Sequence, residues 1–343
     1  MCGGVQEHRA AQERPRPAIE AFSVNLWTLT GSDGFAELAS ADGPADPPQL
    51  PAHYVVGAGA VSEAYLAVLA TSDVSTALAL LDDDVLGDTN LNRHILAAWA
   101  DLGQLKAQLA QNRLAGYRMR IFPVHARWQD YLATPPPERP ARPEALTIAE
   151  ASGRYSLVIS AVDRNASRVA IAGARPEVIL GGSTNGLEAE IGRYRDGNIW
   201  QCLACSSPPE PHPSIEQAAR QLAGMTLAEM AALAQEQELD LAAITDYLKH
   251  PECGTLGERE VRRFAALTRP DWSVSFVSVA AGALLAARAL TYSAGDDAER
   301  TAAEGDTLRL WLANATMART AHQRNPDCPL CGTADTSLTS NQA

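Results

Sequence analysis

Short hydrophobic runs alternate with longer segments of helical periodicity along most of the chain. The first run, Tyr54-Val55-Val56, ends in Gly57-Ala58-Gly59 and precedes an apolar helical segment through Leu69. Further apolar runs predict strands at residues 76–81, 118–124, 156–160, 177–180 and 308–312. Strands that alternate with helices predict an α/β fold, with a Rossmann-like, mostly parallel sheet and helices on both faces. The late run at 308–312 adds strands near the C-terminus.

Composition divides the rest of the chain into segments of different character. The predicted divisions are a disordered start at 1–20, a lead-in and linker at 21–53, one main domain at 54–335, and a flexible tail at 336–343. Within the main domain, residues 213–250 are rich in Ala, Leu, Glu and Gln and predict a helical insertion. A cysteine-containing segment at 251–258 follows the insertion.

The 343-residue chain carries a formal net charge of −13, and its basic residues are scattered along the sequence. This charge disfavours nucleic acid as a partner, because phosphates attract a concentrated cationic surface. The first 17 residues lack the apolar core of a secretory signal. Residues 274–290 are the most apolar stretch, but they contain Arg288 and are short for a membrane span, so they predict a buried helix. We therefore expect a cytoplasmic protein that binds neither DNA nor a membrane.

The segment Gly57-Ala-Gly59-Ala-Val-Ser62 lies between a predicted strand and a predicted helix. Glycines let the backbone approach a phosphate closely, and the N–H groups at the start of a helix attract an anion. Ser62 stands where the third glycine of a GxGxxG turn would be. Taken alone, the turn is equally consistent with NAD, FAD, ATP or tight packing without a ligand.

Charged residues after the next strands favour ATP among these possible ligands. Asp82 ends the second strand, where a carboxylate can accept hydrogen bonds from ribose hydroxyls. Arg93 and Lys106 follow, and two cations suit an ATP phosphate under attack, where negative charge accumulates, better than they suit hydride transfer. The alternative is a helix-capping loop and a solvated lysine. Asp163 follows the strand at 156–160 and could bind magnesium, although an aspartate there also commonly caps a helix.

Four of the six cysteines form two CxxC pairs, Cys202 with Cys205 and Cys328 with Cys331. In a chain without a signal peptide, such pairs indicate metal binding rather than disulfides. Two pairs of thiolates suit a tetrahedral structural zinc site with no open position. The alternatives are four ordinary buried thiols or a redox-active CxxC.

The order of these motifs resembles the ThiF/MoeB/ubiquitin-activating superfamily. The resemblance covers residues 54–331 and rests on Gly57-x-Gly59, Asp82-x-Asp84, Asn90-Leu-Asn92-Arg93, Lys106, Asp163 and the two CxxC pairs. This sequence departs from the family pattern at Ala60 and Ser62, which replace glycines, and at His94 and Arg164, which replace Gln and Asn. The resemblance implies that residues 54–335 are a ThiF-like adenylation domain that forms homodimers.

The resemblance also implies a role for each matching residue. Asp82 would bind the ribose of ATP, Arg93 and Lys106 would contact the phosphates, and Asp163 would hold the Mg2+ required for adenylation. The remaining members of the implied ATP site are Gly57, Gly59, Asp84 and Asn90.

Cys253, in Pro251-Glu-Cys253-Gly-Thr-Leu-Gly257, corresponds to a family cysteine on the loop that crosses the active site. There it would accept the activated acyl group as a thioester, because a thiolate is strongly nucleophilic near neutral pH. The alternative is a packed or idle thiol.

Three functions follow from this interpretation. The first is ATP-dependent adenylation of the C-terminal carboxylate of a ubiquitin-like or sulfur-carrier protein, with possible transfer to Cys253 and then to a downstream acceptor protein. The second is adenylation of a ribosomal peptide during peptide-antibiotic maturation, for which Cys253 would be dispensable. The third, from another class, is a dinucleotide-binding oxidoreductase or a non-catalytic module on the same sheet.

Overall fold

The computed structural model divides the chain into two compact units, one of Met1–Pro17 with Pro209–Trp272 and one of Ala18–Pro208 with Ser273–Ala343. The structure describes residues 22–26, 29–33, 49–195, 201–207, 274–294, 307–328 and 330–332, with scattered residues between 226 and 245. The expected disordered start, the cysteine segment at 251–258 and the expected tail lie outside the described residues. So does most of the expected helical insertion.

An eight-stranded sheet forms the centre of the larger unit. Its strands, in chain order, are β3 (His53–Val56), β4 (Thr76–Leu81), β5 (Met119–Val124), β6 (Leu157–Ser160), β7 (Val178–Asn185), β8 (Glu188–Arg195), β9 (Thr307–Trp311) and β10 (Thr316–Thr320). The spatial order is β10-β9-β8-β7-β6-β3-β4-β5. The five strands from β3 to β7 are parallel, and β8, β9 and β10 add antiparallel pairs. This confirms the expected α/β fold with a mostly parallel sheet. A separate hairpin pairs β1 (Phe22–Asn25) with β2 (Thr30–Asp33).

Strand order places a crevice at the carboxyl ends of β3 and β6. From β3 the chain runs outward to β4 and β5, and it then returns to place β6 on the other side of β3. Ligands of open parallel sheets bind at such a reversal, because the loops leaving the two strands diverge there. The segments after β3, β4 and β6 therefore define the region in which a site is expected.

Helices cover both faces of the sheet. They are α1 (Ala60–Thr71), α2 (Lys106–Arg113), α3 (Trp128–Ala133), α4 (Glu144–Ala151), α5 (Asn165–Gly173) and α6 (Ser275–Ser293). Residues of α1, α2 and α6 pack on one face, and residues of α3, α4 and α5 pack on the other. Neighbouring residues of β3 point to opposite faces, so Tyr54 joins one core and Val55 the other.

The long helix α6 packs closely against α1. A Cβ atom at Gly282 would lie 2.4 Å from the Cβ of Ala64 and 2.6 Å from the carbonyl oxygen of Val61, so only glycine allows this approach. In the described part of the chain, α6 is the one helix long and apolar enough to cross a membrane, and 61% of its most apolar window is buried in the fold. A core helix has the same length and composition, as the sequence analysis predicts for this segment.

A buried charge network lies beside the core on the face of the sheet that α3, α4 and α5 cover. Glu150 of α4 is within 2.9 Å of Arg139 Nη1 and 2.7 Å of Arg142 Nη2, and all three side chains are at most 5% exposed. The hydroxyls of Tyr54 and Tyr131 donate hydrogen bonds to Glu150 Oε1. Because Tyr54 belongs to β3, this network links the proline-rich segment at 134–143 to the strand that leads into the crevice.

We expect Glu150→Ala to destabilise the protein by about 3–5 kcal/mol, because it leaves two buried guanidinium groups without their counter-ion. Urea unfolding, with the midpoint compared to wild type, measures this. Glu177→Ala is the matched control, because Glu177 pairs with Arg154 at the surface, where an ion pair contributes about 1 kcal/mol or less. Equal midpoint shifts for the two variants would contradict a structural role for the buried network.

Candidate active site

The Gly57-Ala58-Gly59 turn joins β3 to α1 at the crevice. Gly57 has φ +91°, and a Cβ there would lie 2.8 Å from the carbonyl oxygen of Ala161, so the position requires glycine. Gly59 is the N-cap of α1, and a Cβ there would meet nothing within 4 Å. The space beside Gly59, at the start of α1, is therefore open, as a turn that binds an anion at a helix N-terminus needs.

Ser62 explains how the turn forms without a third glycine. Its side chain is fully buried, and its hydroxyl donates a hydrogen bond back to the carbonyl oxygen of Gly57. The departure from the GxGxxG pattern thus adds a brace to the turn and leaves the space in front of Gly59 open.

Asp82, at the end of β4, holds the other side of the same turn. Its Oδ2 accepts a hydrogen bond from the N–H of Ala58 at 2.6 Å, and its Oδ1 accepts one from the N–H of Asp84 at 2.8 Å. Burial raises the pKa of Asp82, and these two N–H groups and the nearby Lys106 act in the opposite direction. Each carboxylate oxygen keeps a further lone pair, so Asp82 can brace the turn and still accept a ribose hydroxyl.

Lys106, the first residue of α2, is tied to Asp84 at two points. Its Nζ lies 2.9 Å from Asp84 Oδ2, and its backbone N–H donates to the carbonyl oxygen of Asp84 at 3.1 Å. The lysine side chain is 10% exposed and that of Asp84 is 64% exposed. The ammonium group is therefore held at the boundary between the core and solvent, close to Asp82.

Asn90 and Arg93 lie on the loop that leaves β4. The Asn90 side-chain oxygen accepts a hydrogen bond from the N–H of Gly87 at 3.0 Å, which closes a short 3₁₀ turn. Arg93 Nη1 donates to the carbonyl oxygen of Thr89 at 2.8 Å and to Asn92 Oδ1 at 3.0 Å. Both side chains thus bond within their own loop, and no contact among the described residues joins Arg93 to Asp82 or Lys106.

The contacts that anchor this loop were not predicted from the sequence. His94 Nδ1 lies 2.8 Å from Oε1 of Glu63 in the first turn of α1, and both side chains are buried. The N–H of Leu96 donates to the second Glu63 oxygen at 3.0 Å. A glutamate inside an otherwise apolar helix was the available signal, since a buried carboxylate requires polar partners.

Asp163 follows β6 on the opposite side of the crevice. The N-cap of α5 is Arg164, so the alternative of Asp163 as the helix cap is wrong. Asp163 is exposed, and no hydrogen bond or ion pair to it occurs within the described ranges. Arg168, which follows it in α5, donates to the carbonyl oxygen of Val162 at 3.1 Å and so holds the segment that carries Asp163. A solvent-facing carboxylate of this kind can take a hard cation.

The four paired cysteines come together on the face covered by α3, α4 and α5. The Sγ atoms of Cys202 and Cys205 are 3.7 Å apart, those of Cys202 and Cys328 are 3.7 Å apart, and those of Cys205 and Cys331 are 3.2 Å apart. Disulfide bonding requires about 2.05 Å. A zinc ion at about 2.3 Å from each of four sulfurs would space them about 3.8 Å apart. The thiols therefore fit a structural zinc ion and not a pair of disulfides.

The four thiols differ in acidity: burial raises the pKa of Cys202 and of Cys331, whereas the pKa of Cys328 is lowered. Burial acts to raise the pKa of Cys328, but hydrogen bonds from the N–H groups of Leu330 and Cys331 and from neighbouring thiols outweigh it and lower the pKa to about 7. Zinc binds thiolates, so a lowered pKa reduces the cost of deprotonation. Cys253, the predicted acyl acceptor, lies outside the described residues.

Comparison with known proteins places the chain in a family. A family model described as the ThiF family matches residues 52–330. An uncharacterized protein y4jF from Sinorhizobium fredii is 24% identical over 269 residues, which cover 71% of this chain and 49% of the relative. The chain thus spans about half the length of that curated relative.

Two crystal structures of MccB from E. coli have the same fold. One contains MccA-N7isoASN and matches with a TM-score of 0.50 and 14% identity, over 82% of this chain and 67% of that chain. The other, of MccB alone, also gives a TM-score of 0.50 and 14% identity, over 82% and 65% of the two chains.

Proposed function

Because this chain belongs to the ThiF family, we propose that it is an ATP-dependent adenylyltransferase acting on the C-terminal carboxylate of a protein or peptide. One observation carries the proposal: Asp82 braces the Gly57–Gly59 turn, and the turn borders open space at the start of α1. A nucleotide fits this arrangement with its phosphates at the helix start and its ribose at the carboxylate.

In the proposed reaction, an oxygen of the substrate carboxylate attacks the α-phosphorus of ATP. A new P–O bond forms, the bond between the α-phosphorus and the bridging oxygen to the β-phosphate breaks, and pyrophosphate leaves. The products are an acyl adenylate and pyrophosphate. Negative charge grows on the departing pyrophosphate, so cations at that end accelerate the step.

Each residue of the crevice receives a role in this proposal. Asp82 accepts a hydrogen bond from the ribose, and the N–H groups after Gly59 hold a phosphate. Lys106 exchanges the carboxylate of Asp84 for phosphate oxygens, which keeps its charge paired in both states. Arg93 contributes the second cation, and its bidentate guanidinium suits two phosphate oxygens.

Asp163 is proposed to bind magnesium together with the phosphates of ATP. Its carboxylate is exposed, follows a strand at the crevice and has no partner in the described part of the chain, which fits an oxygen-preferring cation. Magnesium would neutralise phosphate charge and orient the α-phosphate for attack.

The first substrate class is a ubiquitin-like or sulfur-carrier protein. In this version the Cys253 thiolate attacks the acyl carbon of the adenylate, AMP leaves, and the resulting thioester is passed to a downstream acceptor protein. The adenylate is sufficiently activated for this step, because AMP is a good leaving group and a thiolate a strong nucleophile.

The second substrate class is a peptide. The solved structure that contains MccA-N7isoASN belongs to a protein with the same fold, and this favours a peptide-modifying version of the same chemistry. Cys253 would then be dispensable, and the acyl adenylate or a product derived from it would leave the enzyme.

The remaining proposals concern organisation. We propose that the four paired cysteines hold a zinc ion that stabilises the fold without taking part in the reaction, because all four ligands come from the protein. Residues 54–335 are proposed as the adenylation domain, with an insertion at 213–250. Homodimer formation and a cytoplasmic location stay predictions.

An experiment with Cys253 separates the two substrate classes. The purified protein is incubated with magnesium and ATP in a lysate of its host, and non-reducing gels are compared for wild type, Cys253→Ala and Asp163→Ala. Cys2→Ala is the matched control, because Cys2 is the other cysteine outside the CxxC pairs. An ATP-dependent adduct that reductant removes, and that only the Cys253 and Asp163 variants lose, supports thioester transfer.

The absence of such an adduct favours the peptide as the substrate class. If Cys253→Ala turns over ATP at the wild-type rate and no adduct forms, Cys253 is not an acyl acceptor. An adduct that survives in Asp163→Ala would contradict the proposed adenylation step itself.

A further inference from the structure

A buried pair of side chains joins the helix behind the phosphate turn to the loop that carries Arg93. Glu63 is in the first turn of α1, and its backbone N–H bonds to the carbonyl oxygen of Gly59 at 2.9 Å. Its side chain is 1% exposed, and that of His94 is 2% exposed. Both Glu63 oxygens accept a hydrogen bond from the loop, one from His94 Nδ1 at 2.8 Å and one from the N–H of Leu96 at 3.0 Å.

Stability is a weak explanation for such a pair. Removing a carboxylate and its partner from water costs several kcal/mol, and well-packed apolar residues commonly replace buried pairs without loss of stability. The pair does, however, specify geometry. The two hydrogen bonds to Glu63 come from His94 and Leu96, and together they fix both the position and the orientation of the loop relative to α1.

The backbone of the loop connects Arg93 to the anchored residue His94. His94 directly follows Arg93, and the N–H groups of both residues bond to the carbonyl oxygen of Asn90, at 3.1 and 3.0 Å. The guanidinium group bonds only within its own loop in the described structure. The placement of Arg93 therefore follows the placement of the loop, which the Glu63–His94 pair ties to the phosphate turn.

We propose that Glu63 and His94 are positioning residues that hold Arg93 at the phosphates of ATP. This inference rests on the proposed function, because it presumes a nucleotide at the Gly57–Gly59 turn. The pair acts through the loop and touches no reacting atom. A displacement of about 1 Å is enough to weaken a directed charged contact strongly.

The test compares the affinities of the full-length protein for magnesium-ATP and for adenosine, measured by calorimetry. The variants are Arg93→Ala, His94→Ala, His94→Gln and the double variant Arg93→Ala/His94→Ala. Arg93→Ala should weaken ATP about tenfold to a hundredfold, as expected for the loss of charge-assisted hydrogen bonds. His94→Ala should weaken ATP by up to the same factor and leave adenosine affinity unchanged, because adenosine has no phosphate.

Two further variants distinguish positioning from general stability. His94→Gln keeps an N–H donor for Glu63, so it should restore most of the ATP affinity. His53→Gln is the control: His53 is also fully buried, and its Nε2 lies 2.9 Å from the Tyr65 hydroxyl at the amino end of β3. It should lower the melting temperature without changing the ratio of ATP to adenosine affinity.

The double variant decides the inference. If His94 acts through Arg93, the double variant binds ATP no more weakly than Arg93→Ala alone. Losses that multiply, or equal losses of ATP and adenosine affinity in His94→Ala, would overturn the positioning role and leave the proposed function intact. A wild-type protein that binds NAD but not ATP would overturn the proposed function, and the inference with it.

Discussion

Asp163→Asn is expected to lower the rate of adenylate formation by about a thousandfold or more, while ATP affinity falls far less. The substitution keeps the size of the side chain and removes its charge, so the proposed magnesium site would lose an anionic ligand where charge grows in the transition state. Asp163 is exposed and makes no hydrogen bond within the described part of the chain, so the fold should not change. Single-turnover measurement of pyrophosphate release tests this.

Asp73→Asn is the matched control for this prediction. Asp73 is exposed and precedes β4 at the amino end of the sheet, opposite to the crevice, where it pairs with Arg118 at 3.2 Å. Its φ of +53° is one that asparagine tolerates. Adenylation by Asp73→Asn should match wild type. A loss of activity shared by both variants, or none in Asp163→Asn, would contradict the assigned role.

Removal of the proposed zinc ion is expected to lower the stability of the fold strongly. We predict that the purified protein contains one zinc ion per chain and that Cys328→Ser abolishes its binding. Cys328 is 3% exposed and belongs to the same core as β3 and α3, so loss of the metal should loosen the packing of that core. A loss of about 4 kcal/mol would lower the melting temperature by roughly 10 °C.

Metal analysis and thermal melts of Cys328→Ser, Cys2→Ser and chelator-treated wild type measure the effect. Cys2→Ser should retain both zinc and the wild-type melting temperature, because Cys2 belongs to neither CxxC pair. Wild-type protein that contains no zinc after purification, but has intermolecular or intramolecular disulfides, would contradict a structural metal site.

Much of the sheet could be predicted because its parallel strands contain short, mostly apolar runs. β4 has the predicted bounds, and β3, β5 and β6 each begin one residue from theirs. β7 extends five residues beyond the predicted end, through Gly181-Gly182-Ser-Thr-Asn185. Most of these residues have low strand propensity and are held by pairing with β8 across the two-residue loop Gly186-Leu187. Gly186, at φ +59°, is a local hairpin signal that the hydrophobic pattern alone does not include. β10 was missed for the same reason, since its sequence is mostly polar and its only partner in the sheet is β9.

In the candidate site too, residues placed by local sequence could be predicted, and contacts between distant segments could not. Gly57, Asp82 and Asp163 are recognisable because each lies within three residues of the end of a mostly apolar strand, and strand ends meet at one edge of a parallel sheet. The Glu63–His94 pair spans 31 residues, and its partners become neighbours only when the loop folds onto α1. In the sequence, Ser62 is only a departure from the glycine pattern. The hydrogen bond from its hydroxyl to the carbonyl oxygen of Gly57 is visible only in the structure.

The products of ATP cleavage test the central proposal most directly. Purified protein is incubated with magnesium-ATP and the polypeptide fraction of its host, and the nucleotide products are separated and quantified beside Asp163→Asn. The account predicts pyrophosphate in an amount equal to the sum of free AMP and AMP attached to polypeptide, dependent on the polypeptide fraction and lost in the variant. Formation of ADP and phosphate, or reduction of NAD with no ATP cleavage, would contradict it.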